Sequence, residues 1–283
     1  MSAWISTMKT QNPAALSRGE FTRIATPRVL DLLKRHDIRG SFGITGHTAY
    51  AFPYIMARIP DEGHECLHHG WIHENPADFN EAEERINLER GIEAIVRTTG
   101  VRPVGYASPA ADVSRSTLQI LKDYDFLYDA SFSGSDYHAY YQRIGDSWSA
   151  DAPYQFGTPI DLIELPWSWT LDDLPAFEFI LGMNTGLKLP REVEEVWKAE
   201  FDFAYNNCPD GIMTIVMHPE VIARGARINV LDNFIRYAKA HDGVEFDTLQ
   251  NYAGRWKVEN PFATWCENNP DVLGRRSITS FSA

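Results

Sequence analysis

The sequence predicts an α/β fold in which a parallel sheet is connected by helical crossovers. Three observations lead there. Short β-branched or apolar runs alternate with amphipathic helical patterns over most of the chain. The 283 residues suit one large α/β domain, and 44% hydrophobic and 12% aromatic residues supply a sizeable core. Polar clusters rich in histidine follow several of the strand-like runs, where α/β folds place their active sites.

The elements follow in order. Thr26-Pro27 is read as the start of a helix reaching about His36, with Thr as cap and Pro at the first helical position. Gly40 to Thr45 reads as a strand, Ala51 to Arg58 as helical, and His64 to His68 as a second strand. Asn80 to Glu83 has the form of a capping box and opens a helix that Gly100 ends. Pro103 to Tyr106 is a short strand, and Ser114 caps the next helix. Phe126 to Tyr128 and Leu162 to Leu165 read as strands, and Glu192 to Tyr205 as a helix. Ile212 to Met217 (IMTIVM) is the clearest candidate for a buried strand. Ile228 to Ala240 reads as a helix, Val244 to Phe246 as a strand, and Thr248 to Trp256 as the last helix. The domain is therefore placed at residues 1–258, and 259–283 is read as a tail with little regular structure.

A formal net charge of −13 and the lack of a basic stripe argue against nucleic acid and anionic membranes as partners. Cys66, Cys208 and Cys266 are odd in number and widely spaced, so they form neither a disulfide framework nor a zinc knuckle. No apolar run is long enough for a membrane span, and the first residues lack a signal-peptide core. The expectation is a reduced, cytoplasmic protein.

His68-His69-Gly-Trp-Ile-His73 holds three histidines in six residues. On a helical turn, the spacing of His69 and His73 would put both imidazoles on one side, as metal ligands require. From spacing alone the pair reads more readily as surface or hydrogen-bonded histidines. His68 would face elsewhere on a strand and reads as structural. His218, after IMTIVM, is a candidate general acid, although a lone histidine at a strand end is more often structural. Trp167-Ser168-Trp169 with Leu171-Asp172-Asp173 are candidates for a pocket wall. Arg224 and Arg227 are candidates for anion binding, with a structural ion pair as the default.

Taken together, these stretches resemble a known family. HHGWIHENP resembles the H-G-x-x-H-E-x-P motif of the polysaccharide deacetylase (NodB-homology) family. The resemblance is to its intracellular branch of Helicobacter-type peptidoglycan deacetylases, cyclic imide hydrolases and metal-independent allantoinases. ALSRGEF, TGVRPVGYASP, FLYDAS, ELPWSWTLDDLP and VMHPEVIARGARI follow in the family's order, from about Ser2 to Trp256. The resemblance implies a distorted (β/α) barrel of about seven strands. It implies His69 and His73 as ligands of zinc or another divalent metal, with no metal in some members. It implies His218 as the acid that protonates the departing nitrogen, and Asp129 as a carboxylate near the catalytic groups. Tyr106 falls in the motif whose backbone helps hold the oxyanion, and Trp169 and Arg224 join it as substrate-binding candidates.

The implied activity is hydrolysis of a non-peptide carbon–nitrogen bond, with a metal-bound water attacking an amide or imide carbonyl. Ala107 stands where extracellular members often carry Arg. This favours the intracellular branch and a small imide or ureide slightly over an N-acetylated sugar. The resemblance also implies a homotetramer. The family's first strand ends in an Asp-x-Asp motif ahead of a stretch like Ser2-Ala3-Trp4, and here nothing precedes it. The expectation is a true start upstream of Met1. The alternative is a truncated, non-catalytic relative that acts as a binding or scaffold protein.

Overall fold

The structure is a computed structural model and describes residues 9–180, 182 and 184–270. The expectation about the chain's start, which falls on Met1 to Trp4, lies outside the described residues, as does the last part of the tail.

Two helices open the described chain, α1 (Pro13–Glu20) and α2 (Thr22–Arg35). The first sheet strand, β1 (Ser41–Ile44), leads into α3 (Gly46–Ala51) and α4 (Pro53–Asp61). Then come β2 (Glu65–His68), α5 (Glu81–Thr99), β3 (Gly105–Tyr106), α6 (Thr117–Asp123) and β4 (Tyr128–Asp129). Four strands follow, β5 (Tyr140–Ile144) pairing with β8 (Thr158–Glu164), and β6 (Ser147–Ser149) with β7 (Ala152–Gln155) between them. The remaining elements are α7 (Asp173–Phe177), β9 (Phe179–Ile180), β10 (Asn184–Thr185), α8 (Pro190–Asn207), α9 (Pro219–Ile222), α10 (Ile228–Lys239), α11 (Leu249–Glu259) and α12 (Phe262–Asn268).

Among the described residues the main sheet has the order β1-β2-β3-β4-β8-β5, parallel except for β5. The register aligns the strand ends. Ile44 pairs with His68, His68 with Tyr106, Tyr106 with Asp129, and Asp129 with Glu164. Residues paired in a ladder share a face, and successive residues alternate. His68, Tyr106, Asp129 and Glu164 therefore occupy one face, and His69 turns toward the other.

Several sequence expectations are corrected. The helix expected from Thr26 starts at Thr22, with Pro27 inside it. The missing Pro27 N–H frees one carbonyl, while burial of Ala25, Val29, Leu30, Leu32 and Leu33 holds the helix together. Ser114 does not cap α6 directly. The helix begins at Thr117, and the Ser114 hydroxyl accepts from Ser116 N–H and Thr117 N–H. Ile212 to Met217 is not a regular buried strand. It is half-buried and makes one parallel bridge, Asp172 to Val216. Val244 to Phe246 forms no strand either. Both runs have strand-like composition, but no described strand lies beside them to complete a ladder. The segment read as a tail contains α12, whose Trp265 packs against Tyr141.

The capping box at Asn80 is formed as expected, and Gly100 ends α5 in the left-handed conformation. Inside α5, Gly91 allows a close approach. A Cβ there would lie 2.1 Å from His68 Nε2. That nitrogen donates to Leu88 O at 3.1 Å, while His68 Nδ1 accepts from Gly70 N–H at 3.2 Å. The ring stacks on Tyr106 with centroids 5.5 Å apart. Burial drives the His68 imidazolium down to about 3, so the ring is neutral and serves as a structural link between helix and sheet. Alanine is the better helix former by about 1 kcal/mol. Even so, Gly91→Ala should destabilise the protein by about 1–3 kcal/mol through overpacking, read as a lower urea midpoint; an unchanged or raised midpoint would contradict this packing.

Candidate active site

The histidine loop leaves β2 at His68. Its shape is set by Glu74, whose carboxylate accepts Trp71 N–H at 2.9 Å and Ile72 N–H at 2.6 Å. Gly70 has φ +77°, and a Cβ on it would meet Pro109 Cγ at 2.9 Å. His73 is itself left-handed, with φ 65°. The stretch is therefore not the helical turn that the spacing suggested. The loop nevertheless brings the two rings together, with His69 and His73 centroids 4.9 Å apart and nearly perpendicular.

His69 Nδ1 donates to Ala107 O at 2.7 Å, which leaves Nε2 as the free lone pair. Burial lowers His69 to about 4, and a charge on His218 pushes the same way. Burial likewise holds His73 well below the usual imidazole range, with His69 and His218 adding to it. Two neutral imidazoles, one with its Nδ1 anchored to a carbonyl, suit a divalent metal. No third histidine, cysteine or carboxylate among the described residues completes a ligand trio with them.

His218 follows the extended run after Met217 and faces the acidic pair at the start of α7. Its Nδ1 lies 2.9 Å from Asp173 Oδ1 and 3.7 Å from Asp172 Oδ1. Asp173 Oδ1 also accepts His218 N–H at 3.0 Å. The parallel bridge that sets this geometry is short: Asp173 N–H donates to Val216 O, and Val216 N–H to Leu171 O. Burial opposes charge on His218, but the hydrogen bond and charge of Asp173, with Asp172, outweigh it and lift the imidazolium to about 9. Burial raises Asp173 to about 6 against the pull of His218. Between those values the two form an ion pair. The ligand atoms of Asp172, Asp173 and His218 all lie within 4.8 Å of one another. Because Asp173 already engages the Nδ1 nitrogen, the trio fits a hydrogen-bonded acid better than a cation site.

The other sequence candidates are placed as follows. Tyr106 is buried, stacked on His68 and packed with Leu88, Leu118 and Phe126, so its ring belongs to the core. Asp129 is completely buried on the face of Tyr106, and its Oδ1 accepts from Ser131 Oγ at 2.5 Å. Trp169 is 55% exposed and stands edge-to-face on buried Trp167 at the end of β8, as a wall would. The Arg224 guanidinium stacks 4.0 Å above the Phe21 ring. Arg227 makes the structural ion pair, donating to Glu178 at 2.5 Å.

Sequence reasoning passed over two features. Asp173 was visible only as part of a pocket wall, because its partner lies 45 residues away. The turn after β3 holds Ala110 at φ 58°, ψ 10° and Ala111 at φ 53°. Two successive alanines in that region have no sequence signal, since glycine would be the expected residue. Ala111 N–H is bonded to Ser108 O, whereas Ala110 N–H has no hydrogen-bond partner among the described residues.

Comparison with known proteins agrees with this geometry. A model of the polysaccharide deacetylase family matches residues 18–128. A peptidoglycan deacetylase from Helicobacter pylori is 32% identical over 263 residues, covering 88% of this chain and 90% of that protein. A peptidoglycan deacetylase-like protein from Gibberella zeae is 26% identical over 260 residues, covering 84% and 76%. Among solved structures, a Mycobacterium smegmatis protein described as a polysaccharide deacetylase has a TM-score of 0.80 at 28% identity, covering 100% of this chain and 92% of that one. An allantoinase has a TM-score of 0.73 at 23% identity, covering 89% and 79%, and so shares the fold. The six-stranded sheet described above belongs to the distorted (β/α) barrel fold of these proteins. A histidine pair after the second strand of that sheet, an Asp–His pair across it and a near full-length relative at 32% identity together place the chain in the polysaccharide deacetylase family of hydrolases.

Proposed function

We propose that the chain hydrolyses the amide bond of an N-acetylated sugar, with His218 as the general acid. The observation that carries this is the buried Asp173–His218 ion pair facing the neutral His69–His73 pair. The similarity to the Helicobacter pylori peptidoglycan deacetylase supports the sugar over the small imide or ureide that Ala107 suggested.

His218 Nδ1–H donates to Asp173, so Nε2–H is the proton available to a departing amine. Asp173 fixes the ring by accepting both its Nδ1–H and its backbone N–H. His69 and His73 would hold a divalent metal, which when bound supplies Lewis acidity and a water of lowered pKa. Ala110 N–H, exposed and unengaged beside the histidine loop, is the donor for the oxyanion that develops on the carbonyl. The flat face of Trp169 gives a sugar ring an apolar surface to lie on.

An N-acetylglucosamine oligomer, succinimide and allantoin, offered separately, test the substrate class. Acetate release from the oligomer is the expected result. Ring opening of either small molecule without acetate release would replace the sugar reading.

The acid–base pair predicts a pH profile. Below about 6 Asp173 takes a proton and His218 loses its partner; above about 9 His218 loses the proton it must donate. The rate should be flat between these limits and fall on both sides. Asp173→Asn removes the charge that raises His218, so the alkaline limb should move down toward the ordinary imidazole value of roughly 6.5. The plateau rate should drop by roughly a hundredfold. An unmoved alkaline limb would assign it to another group.

The histidine pair is tested without turnover. Equilibrium dialysis against zinc should show uptake by the native protein that His69→Ala and His73→Ala each weaken by tenfold or more, an order-of-magnitude expectation for loss of a ligand. Equal uptake by all three proteins would remove these residues as ligands.

A further inference from the structure

Asp129 and Glu164 are buried carboxyls on the face of the sheet opposite His69, and the chemistry above does not use them. Their hydrogen bonds lead in one direction. Glu164 Oε1 accepts Ser131 N–H at 3.0 Å and Phe132 N–H at 2.9 Å, and Oε2 accepts Gln142 Nε2–H at 2.6 Å. Ser131 Oγ donates to Asp129 Oδ1 and accepts Ser108 N–H at 2.8 Å. Ser108 in turn governs the turn after β3. Its carbonyl accepts Ala111 N–H at 3.1 Å, and its hydroxyl bonds to Asp112 O.

That turn carries the consecutive left-handed residues Ala110 and Ala111. Each is strained and persists only where the surroundings over-determine it. The surroundings here do. Ala107 O accepts from His69, Pro109 abuts Gly70, and Asp112 Oδ2 accepts from Asn75 at 2.9 Å. From the sheet side the attachments are Ala107 N–H to His68 O at 3.0 Å and the Ser108–Ser131 bond. The Ser131 hydroxyl has a single proton, and Asp129 takes it, so the hydroxyl oxygen must present a lone pair to Ser108 N–H. Asp129 thereby fixes the rotation of the hydroxyl whose lone pair anchors the turn.

We propose that Asp129, with Ser131 and Ser108, forms a positioning relay. It acts on the reacting carbonyl only through the turn, by holding Ala110 N–H where the oxyanion develops. Asp129 is then a positioning residue and does not touch substrate. Ser131 and Ser108 extend the functional set beyond the residues given a role from the sequence. The inference rests on the hydrolase reading above, and its test separates the two.

The experiment follows backbone amides by NMR together with acetate release from an N-acetylglucosamine oligomer. In the native protein the Ser108 amide, although bonded to a side chain, should exchange with deuterium as slowly as amides within the sheet ladders. Ser131→Ala should speed that exchange and shift the Ala110 and Ala111 amide resonances. It should lower kcat by roughly tenfold to a hundredfold, the scale of a misplaced catalytic group, and leave KM within about twofold because no substrate contact is lost. Ser131→Thr keeps the hydroxyl and should restore both readouts. Rapid exchange of Ser108 in the native protein overturns the relay even if Ser131→Ala fails to fold. Unshifted Ala110 in a folded Ser131→Ala protein overturns it too, as does a Thr variant as impaired as the Ala variant. A native protein that releases no acetate while these amide signatures hold overturns the substrate assignment and supports the relay.

Discussion

The parallel register of the sheet is the constraint on which the site depends. It sets Ile44, His68, Tyr106, Asp129 and Glu164 side by side at the strand ends. A slip of one residue would exchange the two faces of a strand. His69 would then turn to the helix side, where α5 leaves room for one imidazole only because residue 91 is glycine. The register thus sorts two neighbouring histidines into different tasks. His68 is neutral, satisfied at both nitrogens and structural. His69 keeps its outer nitrogen free.

The same sorting explains how electrostatics differ among the histidines. Burial keeps His69 and His73 uncharged. His218 is half-buried beside a carboxylate with no exposure to solvent, and there the ion pair overcomes burial. Two of the three imidazoles are thus neutral and the third carries a proton. Asp129 and Glu164 add a second electrostatic layer on the far face. Burial raises both carboxyls, and the charge of Asp129 raises Glu164 further. Their role is architectural, through the amides and hydroxyl they hold.

Much of the architecture was legible because it is local. The Asn80 capping box, the Gly100 stop and the apolar strand cores depend on residues a few positions apart, and the structure has them. The histidine pair was legible through its spacing, although a helical turn was the wrong reason for it. What failed was equally physical. Ile212 to Met217 has the composition of a buried strand, but a strand exists only where a neighbour supplies hydrogen bonds, and composition does not report the neighbour. The helix of residues 262–268 was missed because its burial comes from Tyr141 and Trp256, far away in sequence.

By itself the sequence determined the α/β class, the helix caps and the identity of the three histidines on which hydrolysis would turn. It also carried the ordered motifs that mark the family. Tertiary structure alone decided which groups those histidines face. The Asp173 carboxylate reaches His218 through a single parallel bridge between segments 45 residues apart. Tertiary structure alone also decided that Asp129 shares the face of Tyr106 and Glu164, because the side of a strand on which a residue stands is set by its partner strand's register. Side-chain type is a property of the chain, but protonation, tautomer and direction are properties of the neighbours that folding brings to it.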